Sequence, residues 1–78
     1  MIEAQYYTQL TQALQMYKDI ASNEKLLNSR DAEIKRVSAK LIYANLMKLE
    51  DFSEEVRKEL PSEVEKLKNK CLEILSKG

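Results

Sequence analysis

Seventy-eight residues carry 13 Lys and Arg against 13 Asp and Glu, for a formal net charge of zero. Such a balance gives no bulk attraction to nucleic acid or an anionic membrane, and no acidic excess with which to mimic DNA. One Cys and no His exclude an intrachain disulfide and leave metal binding and nucleophilic catalysis poorly supported.

One Gly, one Pro, one Phe and no Trp argue against sheets and long loops, and helix formers dominate. The expected fold is all-α: a small antiparallel bundle of three long helices plus one short helix, with residues 1–78 as a single domain. The opening MIEAQYYTQL has neither a basic region nor a continuous apolar run, so it does not read as a signal peptide. No run approaches the roughly 18 apolar residues of a spanning helix, and the expected location is cytoplasmic.

The first helix is expected from about Ile2 to Ala21. Its apolar face is Ile2, Tyr6, Leu10, Ala13, Leu14, Tyr17 and Ile20, at steps of three and four. Its other face carries amides and hydroxyls, with hardly a charge between Glu3 and Lys18. Amides need only hydrogen-bond partners on burial, whereas ions need counter-charges. This face is therefore a candidate contact with a protein partner or with a second copy. Tyr6, Tyr7 and Tyr17 would be its anchors, and Gln5, Gln9 and Gln12 its neutral hydrogen-bonding groups.

Ser22–Asp31 is the first break, marked by the cap-type residues Ser22, Asn23, Asn28 and Ser29. Leu26 and Leu27 are expected to tuck into the core there. Because no Gly or Pro enforces the break, one continuous helix over residues 2–50 is a second reading of this stretch.

The second helix is expected to start near residues 29–31, with Asp31 and Glu33 in its first turn. Its segment IKRVSAKLIYANLMKL is the most apolar long stretch of the chain. Ile34, Val37, Leu41, Ile42, Ala44, Leu46, Met47 and Leu49 make one wide face, which would need more than one neighbour to cover it. Asn45 falls within that face beside Leu41, Ile42, Leu46 and Leu49, where an amide either fixes the register of packed helices or, at the edge of the stripe, reaches water. Arg36, Lys40 and Tyr43 line the opposite side, and they are the candidate residues of an alternative function, a small nucleic-acid-binding regulator.

Asp51-Phe52-Ser53-Glu54 has the spacing of a capping box, and Ser53 can cap as well; a short third helix is predicted over about 52–59 with Phe52, Val56 and Leu60 inward. Pro61 ends it, and Ser62-Glu63-Val64-Glu65 opens the last helix, to about Leu75. Val64, Leu67, Cys71, Ile74 and Leu75 are its core positions, with Leu72 at the edge. Ser76–Gly78 are expected to fray. Cys71 lies on an apolar face with no His to activate it and reads as a small buried hydrophobe.

The segment RVSAKLIYANLMK followed by LPSEVEKLKNK is similar, in Leu spacing and one Leu-Pro, to the last two helices of bacteriocin immunity proteins. The likeness covers about half the chain. It implies an antiparallel four-helix bundle of a small bacterial or phage type, and no functional residue is carried over from it. The expected function is a non-enzymatic adaptor, inhibitor or immunity-type protein. It would bind a protein partner or self-associate, with no cofactor and no small-molecule substrate.

Overall fold

The computed structural model describes residues 2–77, and their side chains from Ala4 onward. Along the chain lie α1 (Ile2–Ser22), a 3-10 turn (Glu24–Asn28), α2 (Ala32–Lys48), a second 3-10 turn (Leu49–Asp51), α3 (Glu54–Arg57) and α4 (Glu63–Lys77). The described residues form an antiparallel all-α bundle of three long helices and one short one, with no strand. The predicted core role of Ile2 and the fraying of Gly78 fall outside the described residues. Ser76 and Lys77 do not fray but complete α4.

The first break is made by side chains. At the end of α1 the Ser22 hydroxyl donates to the Asp19 carbonyl at 2.7 Å, and the Asn23 amide donates to the same oxygen at 3.0 Å. Helix-end carbonyls otherwise lack partners, so two short polar residues there favour termination. The Asn23 N–H turns back to the Ile20 carbonyl at 3.0 Å. The chain then reverses, which overturns the continuous helix over 2–50. Asp31 opens α2: its Oδ1 accepts from the N–H groups of Glu33 at 2.9 Å and Ile34 at 3.2 Å. A cap of this kind contributes about 1 kcal/mol.

α2 and α4 run antiparallel along most of their length. The start of α2 (Ala32, Arg36) shares a groove with the end of α4 (Lys70, Ile74), and Leu46 and Leu49 meet Val64 at the other end. The Lys68 ammonium pairs with the Glu50 carboxylate at 2.7 Å, and Lys70 donates to the Asn28 amide oxygen at 2.8 Å. The Glu24–Asn28 turn packs against α2, meets α4 through Asn28, and inserts Leu27, which is fully buried. That turn occupies the space beside the first half of α2, so α1 is displaced toward the far end. Gln12 and Met16 come beside Lys48 and Phe52. Tyr6 meets the field of Glu59 and Glu55 on the α3 side. The result is a rod of 48 × 19 × 16 Å with a radius of gyration of 13.8 Å. A compact chain of this length would have a radius near 11.5 Å (approximately).

The core is one cluster. Ala13 and Ile20 come from α1, Ala39, Ile42 and Leu46 from α2, and Leu67 and Cys71 from α4. Leu27, Leu49 and Val56 come from the short elements. Four expectations need correction. Leu26 is exposed, because a 3-10 turn points neighbouring side chains in different directions and only Leu27 faces α2. Leu14 sits at the edge of the α1 stripe and is also exposed. Of the two expected caps of α3, Ser53 is the one used, its Oγ accepting from the Val56 N–H at 3.4 Å, while Asp51 lies in the preceding 3-10 turn and forms no capping box there. The helix it caps is therefore shorter than expected, Glu54–Arg57. Finally, Ile34, Val37, Leu41 and Met47 are exposed, so the wide α2 face is covered only in part.

Two measurements test this packing. Leu27→Ala should lose roughly 2–5 kcal/mol in urea unfolding, as a buried Leu does, whereas Leu26→Ala next to it should change stability by less than about 1 kcal/mol. The second concerns Glu50, whose carboxyl is held below its ordinary value by the hydrogen bond and charge of Lys68. A carboxylate with a lowered folded-state pKa contributes stability above its unfolded pKa, and that contribution is lost as pH falls through the folded value. Wild type should therefore lose stability below about pH 4.5 more steeply than Glu50→Gln, while the two stay parallel from pH 6 to 8.

Candidate functional site

α2 has no Gly or Pro and a satisfied N-terminus, so its faces are fixed by helical geometry. Its apolar residues fall into two seams, each stepping alternately by three and four. The inner seam is Ala39, Ile42, Leu46 and Leu49, all buried. The outer seam is Ile34, Val37, Leu41 and Ala44, all exposed. At 3.6 residues per turn the two seams are about 140° apart around the helix. The larger side chains of the outer seam are strongly exposed: Ile34 46%, Val37 49% and Leu41 62%. No charged residue interrupts this seam between Ile34 and Ala44. Lys48 occupies the next seam position. Ser38 and Asn45 border the seam on one side, and Glu33, Lys40 and Met47 on the other. Asn45 is exposed, at the edge of the stripe as the sequence implied.

The six α1 candidates do not share one surface. Tyr6 and Tyr17 are half-buried toward the core. Burial raises the pKa of both phenols, followed by the fields of Glu59 and Glu55 on Tyr6 and of Glu63 and Glu24 on Tyr17. Tyr7 points away from the core at 63% exposure, and the Tyr6 and Tyr7 rings meet edge-on at 5.4 Å. Gln5, Gln9 and Gln12 are exposed on the opposite side of the helix from Tyr7. Gln5 and Gln9 edge one shallow depression, and Gln9 and Gln12 another beside Lys48 and Phe52.

Arg36, Lys40 and Tyr43 remain on one side of α2, four and three residues apart. Tyr43 is half-buried against the core, Lys40 is exposed, and Arg36 lines the groove between α2 and α4. That groove has a volume of about 600 Å³ and an apolar floor of Leu27 and Ile74. It also collects Lys35, Lys70 and Lys77, but Glu33 and Glu73 share it. The Glu73 carboxylate accepts from Lys77 at 3.4 Å.

No known protein family, characterised protein or solved structure matches this chain.

The geometry and chemistry of its surface are therefore the guide to function. Among the described residues no three His, Cys, Asp or Glu side chains converge where a metal ion could sit. No helix of the described residues is long and apolar enough to cross a membrane. The largest unexplained feature is the outer seam of α2, which sequence reasoning had assigned to the core. The signal that separates the two seams is present in the sequence: residues 39, 42, 46 and 49 form one alternating series, and residues 34, 37, 41 and 44 form another.

Cys71 is fully buried, and burial pushes its thiol above the ordinary value, against a small opposing effect of Lys70. Only the thiolate reacts with thiol reagents. Cys71 should therefore stay unmodified by a disulfide reagent at pH 8 in buffer and react fully in 6 M urea. Stoichiometric reaction within seconds in buffer would show that the α4 packing is wrong.

Proposed function

We propose that this chain is a non-enzymatic interaction protein of the adaptor, inhibitor or immunity type, and that it works by docking the outer seam of α2 against another protein surface. The observation that carries this reading is the uninterrupted exposed row Ile34, Val37, Leu41 and Ala44. Scattered exposed Leu or Val residues need no explanation, but a row at seam spacing on a rigid helix does. Completing the burial of the half-exposed Ile, Val and Leu would contribute on the order of 1 kcal/mol each before association costs. An amphipathic helix face with anchors at such spacing is a recurrent mode of protein recognition.

A nucleic-acid regulator acting through Arg36, Lys40 and Tyr43 has less support. Glu33 and Glu73 stand in the same groove as Arg36, where they would repel phosphates, and the Tyr43 ring is partly committed to the core.

Placing a photo-crosslinking amino acid at position 41 in cells that make the protein tests the reading. A discrete adduct should form from position 41 and not from position 66, which lies on the charged outer side of α4. The absence of any adduct at 41, or the same adducts from both positions, would overturn it.

A further inference from the structure

Resting on the docking reading above, we infer that the occupant of the outer seam is a second copy of this chain, paired antiparallel about a two-fold axis. Two observations favour this partner over a heterologous one.

The first is charge. The formal net charge is zero, so two copies meet without long-range repulsion. The second is the spacing of the seam. Ile34, Val37, Leu41 and Ala44 alternate by three and four, which are the inward positions of a two-helix seam. In an antiparallel pair with its axis near residue 39, Ile34 lies over Ala44 of the second copy, and Val37 over Leu41 of the second copy. Each layer then combines a larger side chain with a smaller one, and two-fold symmetry doubles two layers into four. A parallel pair would instead stack Ala44 on its mate and bring Lys48 against Lys48. The antiparallel pair carries Lys48 to the other copy's N-terminal turn, beside the exposed Asp31, and opposes the helix dipoles. Lys40 lies at the rim near the axis, exposed and wet, where its repulsion with the other copy's Lys40 is weak.

The test is solution mass by light scattering across a concentration series, with circular dichroism as the check on folding. Wild type should reach about twice the 9.1 kDa chain mass. Leu41→Glu should keep its helicity, because position 41 is not in the core. It should raise the dissociation constant on the order of a hundredfold or more, since pairing would bury an uncompensated carboxylate. Leu72→Glu, at an exposed apolar position on α4, should leave the dimer intact. Lys48→Cys should not oxidise to a disulfide-linked dimer, because the antiparallel arrangement holds the two positions 48 about 27 Å apart, whereas a parallel seam would bring them together.

A monomer at all concentrations up to about 1 mM would overturn the self-pairing, as would a dimer that Leu41→Glu does not weaken. A seam-dependent dimer that Lys48→Cys readily crosslinks would overturn the antiparallel arrangement. If the chain is monomeric but position 41 still forms a discrete adduct larger than two chains, the docking reading stands and only the choice of partner fails.

Discussion

The fold depends on the seating of two unlike elements on one narrow strip of α2. Ala39, Ile42, Leu46 and Leu49 share one core cluster with Leu67 and Cys71 of α4 and with Leu27. Leu27 comes from a single turn of 3-10 helix, and it fills space that an ordinary three-helix bundle would give to α1. This one choice sets the rest of the shape. With the Glu24–Asn28 turn in place, α1 is displaced toward the far end of α2 and packs on α3. The rod of 48 Å follows from that offset. So does the incomplete coverage of α2, because two slim neighbours cannot wrap a helix whose apolar positions extend around more than half of it.

A chain this small has little stability in reserve, since short chains bury a smaller share of their surface than long ones. Its described core has ten buried apolar residues and no disulfide to help. An Ile, a Val and a Leu left half in water on the most apolar helix give up burial that such a core could use. That arrangement makes physical sense when the burial is completed by association, which stabilises the folded chain by mass action. Folding and pairing are then linked, and the apparent stability of wild type should rise with concentration.

Much of the fold was legible in the sequence because the signals were local. Pro61 as punctuation, Val56 facing inward, and Leu67 with Cys71 as core positions need only neighbouring residues to be read, whereas Asp31, expected inside the first turn of α2, is the cap that precedes it. The partition of α2 was not legible in the same way. Eight apolar positions within sixteen residues state that the helix is apolar around much of its circumference, but not which part its own chain will cover. That depends on where α1 ends up, and so on whether Leu26 or Leu27 enters the core, a choice settled by the geometry of a five-residue turn. The same displacement separates the α1 candidates. Tyr6 and Tyr17 are drawn toward α3 and α4, while Tyr7 and the three Gln residues are left on opposite sides.

The two candidate surfaces also differ in what they can contribute energetically, and this favours α2 over the neutral face of α1. Gln5, Gln9 and Gln12 are hydrated in the free chain, so any hydrogen bond they make to a partner replaces one to water. The net return from such an exchange is about 1 kcal/mol at best. Their side chains also lose rotamer freedom when fixed. Ile34, Val37 and Leu41 have nothing comparable to exchange: water gains when they are covered, and their side chains are stiffer. A neutral amide face tolerates contact, whereas an apolar seam drives it. If both faces are used, the seam supplies the affinity, and the amides of α1 supply only the absence of a charge penalty.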